Sequence, residues 1–302
     1  MARLGLSVAM VTCAVAGCSS DGDEEPSVAA VCGANVVDEP GADDAPGGVL
    51  AYSTEDEDVI VDDLDSPLPV VRIGASERRE LDPDLSSDGT VALRSGPDPD
   101  SDAADIVAGD VNLTNDPSSS NWGPAWSPDG ERIAFSSTRD AGSTPRVWVM
   151  AADGTDRHLI TLEHGEYPDW SPDGTQLVYA SPSGSGRYDL FVIGFDGASP
   201  QDPVRIVDDP DTDFFPAWSP DGEWIAFHRL DAGVFVVRPD GTDERRVSPD
   251  ADAGDPVWAP DGRLGWNGPD GFALTDLDAC TTTRLPELQV GMFPSWIPPV
   301  SR

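Results

Sequence analysis

One short string, repeated, limits what this chain can fold into more than any other feature. Trp126-Ser127-Pro128-Asp129-Gly130 returns as Trp170-Ser171-Pro172-Asp173-Gly174, as Trp218-Ser219-Pro220-Asp221-Gly222 and, with one change, as Trp258-Ala259-Pro260-Asp261-Gly262. Leu85-Ser86-Ser87-Asp88-Gly89 is a degenerate copy and Trp296-Ile297-Pro298 a truncated one. The Trp-equivalent positions 85, 126, 170, 218, 258 and 296 lie 41, 44, 48, 40 and 38 residues apart. A period of about 40 residues is the length of a four-stranded unit that stacks on its neighbours, and such units close into a ring.

The residues around the string say what each unit is. Ser-Pro-Asp-Gly suits a tight reversal, because Pro presets φ at the second position, Asp tolerates the third and Gly takes the fourth with positive φ. An alternating apolar strand follows (Ile133-Ala134-Phe135, Leu177-Val178-Tyr179, Ile225-Ala226-Phe227), then a third (Val147–Met150, Leu190–Ile193, Val234–Val237). Another turn, such as Pro239-Asp240-Gly241, leads to a fourth, more polar strand such as Glu244-Arg245-Arg246-Val247. A polar last strand fits a solvent-facing edge. The repeated Trp, on the innermost strand, is expected to fill the space between neighbouring units.

The ends of the array complement each other. Phe293-Pro294-Ser295-Trp296 supplies an inner strand and nothing more, whereas Gly48–Ser53, Val59–Asp62 and Val70–Ile73 supply a second, third and fourth. The expectation is an all-β, six-bladed β-propeller over residues 48–302 with four-stranded antiparallel blades. Its ring is closed by one C-terminal strand plus three N-terminal strands, which leaves no open sheet edge at the join.

The Pro-x-Trp-Ser-Pro-Asp-Gly pattern followed by Ile-Ala-Phe, as in residues 124–135 and 216–227, resembles the TolB-type, WD-repeat-like β-propeller family over about residues 48–298. The resemblance implies the propeller fold and a general habit of binding. The family's namesake is periplasmic, has an α/β domain before its propeller and binds a peptidoglycan-associated lipoprotein. This chain has no room for that domain and carries a lipidation signal of its own, so that partner is not carried over. Related propellers precede the catalytic domain of prolyl-oligopeptidase-like peptidases, which need a Gly-x-Ser-x-Gly elbow. The nearest string here, Ser183-Gly184-Ser185-Gly186, lacks the spacing and reads as a loop. Metal-dependent lyases on related propellers use several inward His residues; the three here, His158, His164 and His228, show no metal-ligand spacing.

Residues 1–17 read as a lipoprotein signal peptide, the alternative being an ordinary secretory signal that contains a chance Cys. Arg3 precedes the apolar stretch Leu4–Val15, which is too short to span a membrane as a mature helix. Val15-Ala16-Gly17-Cys18 resembles a bacterial lipobox, which implies cleavage before Cys18 and acyl chains (diacylglycerol, palmitate) on that residue. Residues 18–47, rich in Asp, Glu, Gly, Pro and Ala, read as an acidic flexible tether; its apolar piece, Val31–Val37, is placed to dock on the domain. Cys32 and Cys280 are the cysteines left after processing. An exported compartment permits a disulfide between them; the alternative is two buried thiols. The expected location is the outer face of the cell membrane, or the periplasm or outer membrane of a cell that has one.

Acidic residues number 56 against 18 basic ones, all Arg, for a net charge of −38. Such a chain repels nucleic acid and an anionic membrane surface, so attachment to a bilayer needs a lipid anchor. No cofactor is expected. The one cation site to weigh is Ca²⁺ at Asp98, Asp100, Asp102 and Asp105, oxygen ligands on one loop, with a solvated acidic loop as the alternative.

The most suggestive constellation precedes the repeated Pro of each inner strand. Aligning on Pro83, Pro124, Pro168, Pro216, Pro256 and Pro294 gathers Asp82, Trp122, Glu166, Tyr167, Asp213, Phe214, Phe215, Asp255, Met292 and Phe293 at one mouth of the channel. Aromatics beside carboxylates there make a concave site for a cationic or peptide-like ligand, or else the aromatics plug the channel. The function expected is a monomeric, lipid-anchored envelope module that binds a protein, peptide or glycan and is not an enzyme. The alternative is a hydrolase or lyase of envelope polymers using Glu166 and Asp213.

Overall fold

The computed structural model describes residues 36–37, 46–65, 71–73, 79–96, 103–140, 142–184, 186–196, 201–285, 288 and 290–300. Every regular element among them is a β-strand or an isolated bridge. The strands form six antiparallel blades. In chain order their inner strands are Arg79–Leu85 (blade 2), Asn121–Trp126 (blade 3), Glu166–Trp170 (blade 4), Asp213–Trp218 (blade 5) and Gly254–Trp258 (blade 6). Blade 1 is the composite: Met292–Ile297 pairs with Val49–Ser53, which pairs with Val59–Asp63 and through it with Val71–Ile73. The ring is therefore closed by the chain's two ends, as the repeat count implies.

Blade 6 departs from the expected four strands. Val36–Val37 adds to its outer edge, pairing in parallel with Thr281–Leu285 through Val36↔Thr282 and Val37↔Thr283. The end of the apolar piece of the tether is thus a fifth strand, where it satisfies an edge that would otherwise face water. Beside it Cys280 is disulfide-bonded; its partner, like Cys18 and Cys32, lies outside the described residues.

The repeated reversals form as their chemistry requires. Gly130, Gly174 and Gly222 sit at φ 70°, 70° and 75°. In each turn the Ser hydroxyl donates to the Asp carboxylate (Ser171 Oγ to Asp173 Oδ1, 2.7 Å) and also accepts the N–H five residues on (Gln176, 2.9 Å). These bonds hold Asp88, Asp129 and Asp173 below the usual carboxylate range, the Ser hydroxyl contributing most.

Burial is divided among the interfaces between blades. Among the described residues six apolar clusters occur, one per interface. Trp170 joins Ala125, Val147 and Leu177 between blades 3 and 4, and Trp218 joins Val178, Leu190 and Phe227 between blades 4 and 5. Trp258 lies in the cluster between blades 5 and 6, and Trp296 in that between blades 6 and 1. Leu85 takes the Trp position between blades 1 and 2, and Trp126 packs on the cluster of blades 2 and 3. In urea unfolding, Trp170→Ala is expected to lose about 3–5 kcal/mol, while Trp122→Ala, outside these clusters, keeps most of its stability.

Candidate functional site

The site is built from a defect repeated six times. Proline has no N–H to give the ladder, and at each inner-strand Pro the register slips, between Leu81 and Asp84 in blade 2 and at the matching places in the others. The residue before each Pro is left-handed: Asp82, Gly123, Tyr167, Phe215, Asp255 and Phe293 all have φ between 50° and 55°. Only Gly123 escapes the steric cost, which is roughly 1–2 kcal/mol for an L-residue. A bulge re-aims the side chain it carries, and these six residues line one cavity of about 260 Å³ shared by all six inner strands.

Three of them meet there. Phe215 lies edge-on to Tyr167 (centroids 4.6 Å apart) and to Phe293 (5.3 Å). Phe214 continues the cluster, 4.5 Å from Tyr188. A Cβ on Gly123 would stand 3.2 Å from the Tyr167 ring, so this glycine leaves that ring its place. Met292 is exposed and lines neither this cavity nor its neighbour over blades 2 to 4.

The carboxylates have another task. Asp82 Oδ2 accepts the Gly123 N–H of the next blade at 3.3 Å, and the Asp255 carboxylate accepts the Phe293 N–H. Where blades 1 and 3 make the equivalent link, a hydroxyl does it: Ser53 to Asp82 N–H (3.1 Å) and Ser136 to Tyr167 N–H (2.9 Å). Asp213 does not belong at the mouth. Its carboxylate is fully buried and takes Arg229 Nε and Nη2 at 2.8 and 3.2 Å, while Arg229 Nη1 also holds Glu244 at 2.8 Å. Arg229 ties inner, second and outer segments of blade 5 together, and Asp213 is withdrawn from any pairing with Glu166. Asp105 likewise spends both oxygens on its own hairpin, accepting from Thr114, Asn112 and Asp116; Asp98, Asp100 and Asp102 lie outside the described residues. Among the described residues no three His, Cys, Asp or Glu gather as metal ligands.

One layer deeper, the residue after each Pro alternates between two ways of joining blades. Asp84 and Asp169 accept the backbone N–H of Trp126 and Trp218, each at 2.6 Å. At Ala125 and Ala217, which have no acceptor side chain, the backbone carbonyl takes the indole N–H of Trp170 (3.1 Å) or Trp258 (2.9 Å). The indole nitrogens of Trp126 and Trp218 are buried without a partner among the described residues, so each of these four junctions has one lock or the other. Asp84 and Asp169 line the cavity at the inner strands, and burial pushes them up to about 6 and about 7, against their backbone bonds.

A second cavity, about 510 Å³, opens beside the first over blades 2 to 4 and shares Tyr167 with it. Trp122 and Glu166, both expected at the mouth, line it together with Arg94, which the sequence reading missed. Glu166 is oriented by two residues also missed: its Oε1 takes the Tyr188 hydroxyl at 2.7 Å and lies 2.6 Å from His164 Nε2. Arg94 stands opposite Leu81 on the second strand, beside the bulge. The corresponding positions in blades 1 and 3 carry the latch residues Ser53 and Ser136, and that register is the signal by which Arg94 can be found.

The model of the TolB β-propeller domain matches residues 59–298. The chain belongs to this family. A segment of it is 40% identical over 62 residues to the Tol-Pal system protein TolB 1 of Novosphingobium aromaticivorans, covering 19% of this chain and 14% of that relative, far short of its whole length. Among solved structures, TolB from Acinetobacter baumannii aligns with a TM-score of 0.61 at 17% identity, over 86% of this chain and 68% of that one. A gluconolactonase from Xanthomonas campestris aligns at 0.52 and 15% identity, over 74% and 84%. Likenesses at such identity carry the fold, and in this TolB-type ring the six-fold bulge is what the fold contributes to the mouth.

The raised carboxyls set a pH dependence. Asp84 and Asp169 hold their protons more tightly folded than unfolded, so their contribution to stability is complete below about pH 4 and is lost as pH rises through 6 to 7. Urea midpoints are expected to fall between pH 5 and pH 8, and the double variant Asp84→Asn/Asp169→Asn to fall less over that range. Equal slopes would contradict the assignment.

Proposed function

We propose that this chain is an exported, lipid-anchored binding module of the cell envelope that presents the mouth over blades 2 to 4 to a protein, peptide or glycan. The carrying observation is the division of labour at that mouth. Asp82 and Asp255 are occupied in linking neighbouring blades, while Arg94 and Trp122 line an open cavity together with Glu166, which gives only Oε1 to Tyr188 and His164. Membership of the TolB propeller family supports a role in protein interaction. The lipobox-like Val15–Cys18 supports an anchor, and with it a site at the cell surface or in the periplasm. We propose binding in preference to catalysis: with Asp213 bonded to Arg229, Glu166 has lost the carboxylate with which it was to act.

Two measurements test this. Cys18→Ser is expected to move the protein from the membrane to the soluble fraction; a variant that stays with the membrane contradicts the anchor. In affinity capture from its own envelope extract, the wild type is expected to retain a component that Trp122→Ala loses and that Arg245→Ala, on an outer strand, keeps. Retention unaffected by Trp122→Ala contradicts the mouth as binding face.

A further inference from the structure

Resting on that reading of the mouth, we propose that the cavity over blades 2 to 4 binds a carboxylated sugar, a uronic acid unit of an envelope glycan. Three properties of its lining point there.

The first is a cation without a hydrogen-bond partner. The Arg94 side chain is half-buried and makes no hydrogen bond or close ion pair among the described residues; its charge is felt by the buried Asp82 carboxyl, which it lowers against the larger effect of burial. It stands where blades 1 and 3 place latch serines, but a guanidinium cannot accept an N–H, and that of Gly123 goes to Asp82. Its planar guanidinium is thus left for a ligand, and it matches a carboxylate in bidentate geometry. In a chain of net charge −38 a half-buried cation with no hydrogen bond of its own selects for an anion at one point and disfavours a polyanion at large.

The second is a platform. Trp122 lines the same cavity, outside every apolar cluster, and its indole N–H has no hydrogen-bond partner among the described residues. A half-buried indole offers an apolar face to the C–H face of a pyranose and a donor at its edge.

The third is the polar wall. Ser118, Ser119, Ser120, Thr138 and Ser143 are in the lining, the Ser118 hydroxyl donating to Asp116 and Ser119 Oγ accepting from Asn121. The hydroxyls of Ser120 and Ser143 are unbonded among the described residues, and that of Thr138 only accepts, from the Ser120 N–H at 2.9 Å. Glu166 lines the same cavity, its Oε1 held by Tyr188 and His164 while Oε2 remains to accept a hydroxyl. A peptide brings apolar side chains and needs apolar pockets or a free strand edge; this lining offers hydroxyls and a carboxylate acceptor, the complement of a polyol. The volume, about 510 Å³, lies in the range of small-ligand sites. Arg94 binds the carboxylate, Trp122 stacks on the ring, and Glu166 with the hydroxyl wall reads the ring hydroxyls.

Calorimetric titration of the purified full chain with a digalacturonate, with the neutral digalactoside and with a tripeptide bearing a free carboxylate tests this. The digalacturonate is expected to bind ten- to a hundred-fold more tightly than the digalactoside, the range for a hydrogen bond to a charged group. Arg94→Met, which keeps the apolar stem, is expected to bring that ratio to about one, and Trp122→Ala to weaken both sugars alike. Equal binding of the two sugars by the wild type, binding of neither, or tighter binding of the tripeptide overturns the sugar acid. None of these touches the envelope capture above, whose loss in Trp122→Ala would leave the mouth a binding face for another ligand; insensitivity of that capture to Trp122→Ala removes the face itself. Near-UV circular dichroism identifies any variant that has not folded, and the wild-type comparison of the three ligands decides without it.

Discussion

A blade of this protein cannot bury its own faces. Each sheet has two apolar sides and a single layer, so each must press on a neighbour, and six small clusters take the place of one core. The constraint this sets is closure. A row of blades leaves its first and last faces wet, and only a strand from each chain end, Met292–Ile297 against Val49–Ser53, turns the row into a ring in which every face is covered. The inner-strand Trp residues, the hydroxyl and carboxylate latches and the channel all presuppose that join.

From closure the mouth follows. Six prolines break six ladders at one level, and the residue before each is turned left-handed toward a common cavity. Symmetry alone would give six equal positions. The sequence breaks it: Tyr167, Phe215 and Phe293 fill one side with rings, Asp82 and Asp255 stitch blades, and Gly123 removes a side chain where Tyr167 needs room. What remains open is the sector over blades 2 to 4, and the polar groups left over there define the candidate site.

Much of this was legible in the residues. The recurrence of Trp-Ser-Pro-Asp-Gly carried blade number, turn geometry and the interfacial place of Trp, because each depends on local chemistry repeated in register. The composite blade followed from counting strands at the two ends. Less legible was the duty of each acid. Asp82, Asp213 and Asp255 look alike when repeats are aligned, but whether a carboxylate meets a ligand, a neighbouring N–H or a buried Arg229 depends on what the adjoining blade presents, and alignment within the chain does not contain that. Arg94 was missed for the same reason: it sits on a second strand, opposite a bulge whose offset must be known before the two residues can be placed together. The extra strand Val36–Val37 was visible only as an apolar interruption in an acidic tether.

The central claim is that closure makes the six interfaces one cooperative unit. Native-state hydrogen exchange, followed residue by residue, tests it most directly. If the claim is right, the paired amides of Leu50 and Trp296 in the composite blade exchange through the same global opening as those of Ile133, Leu177 and Ile225 in blades 3, 4 and 5. Exchange of the composite blade orders of magnitude sooner, with the other five still protected, would show that the ring stands without its join and would contradict the account.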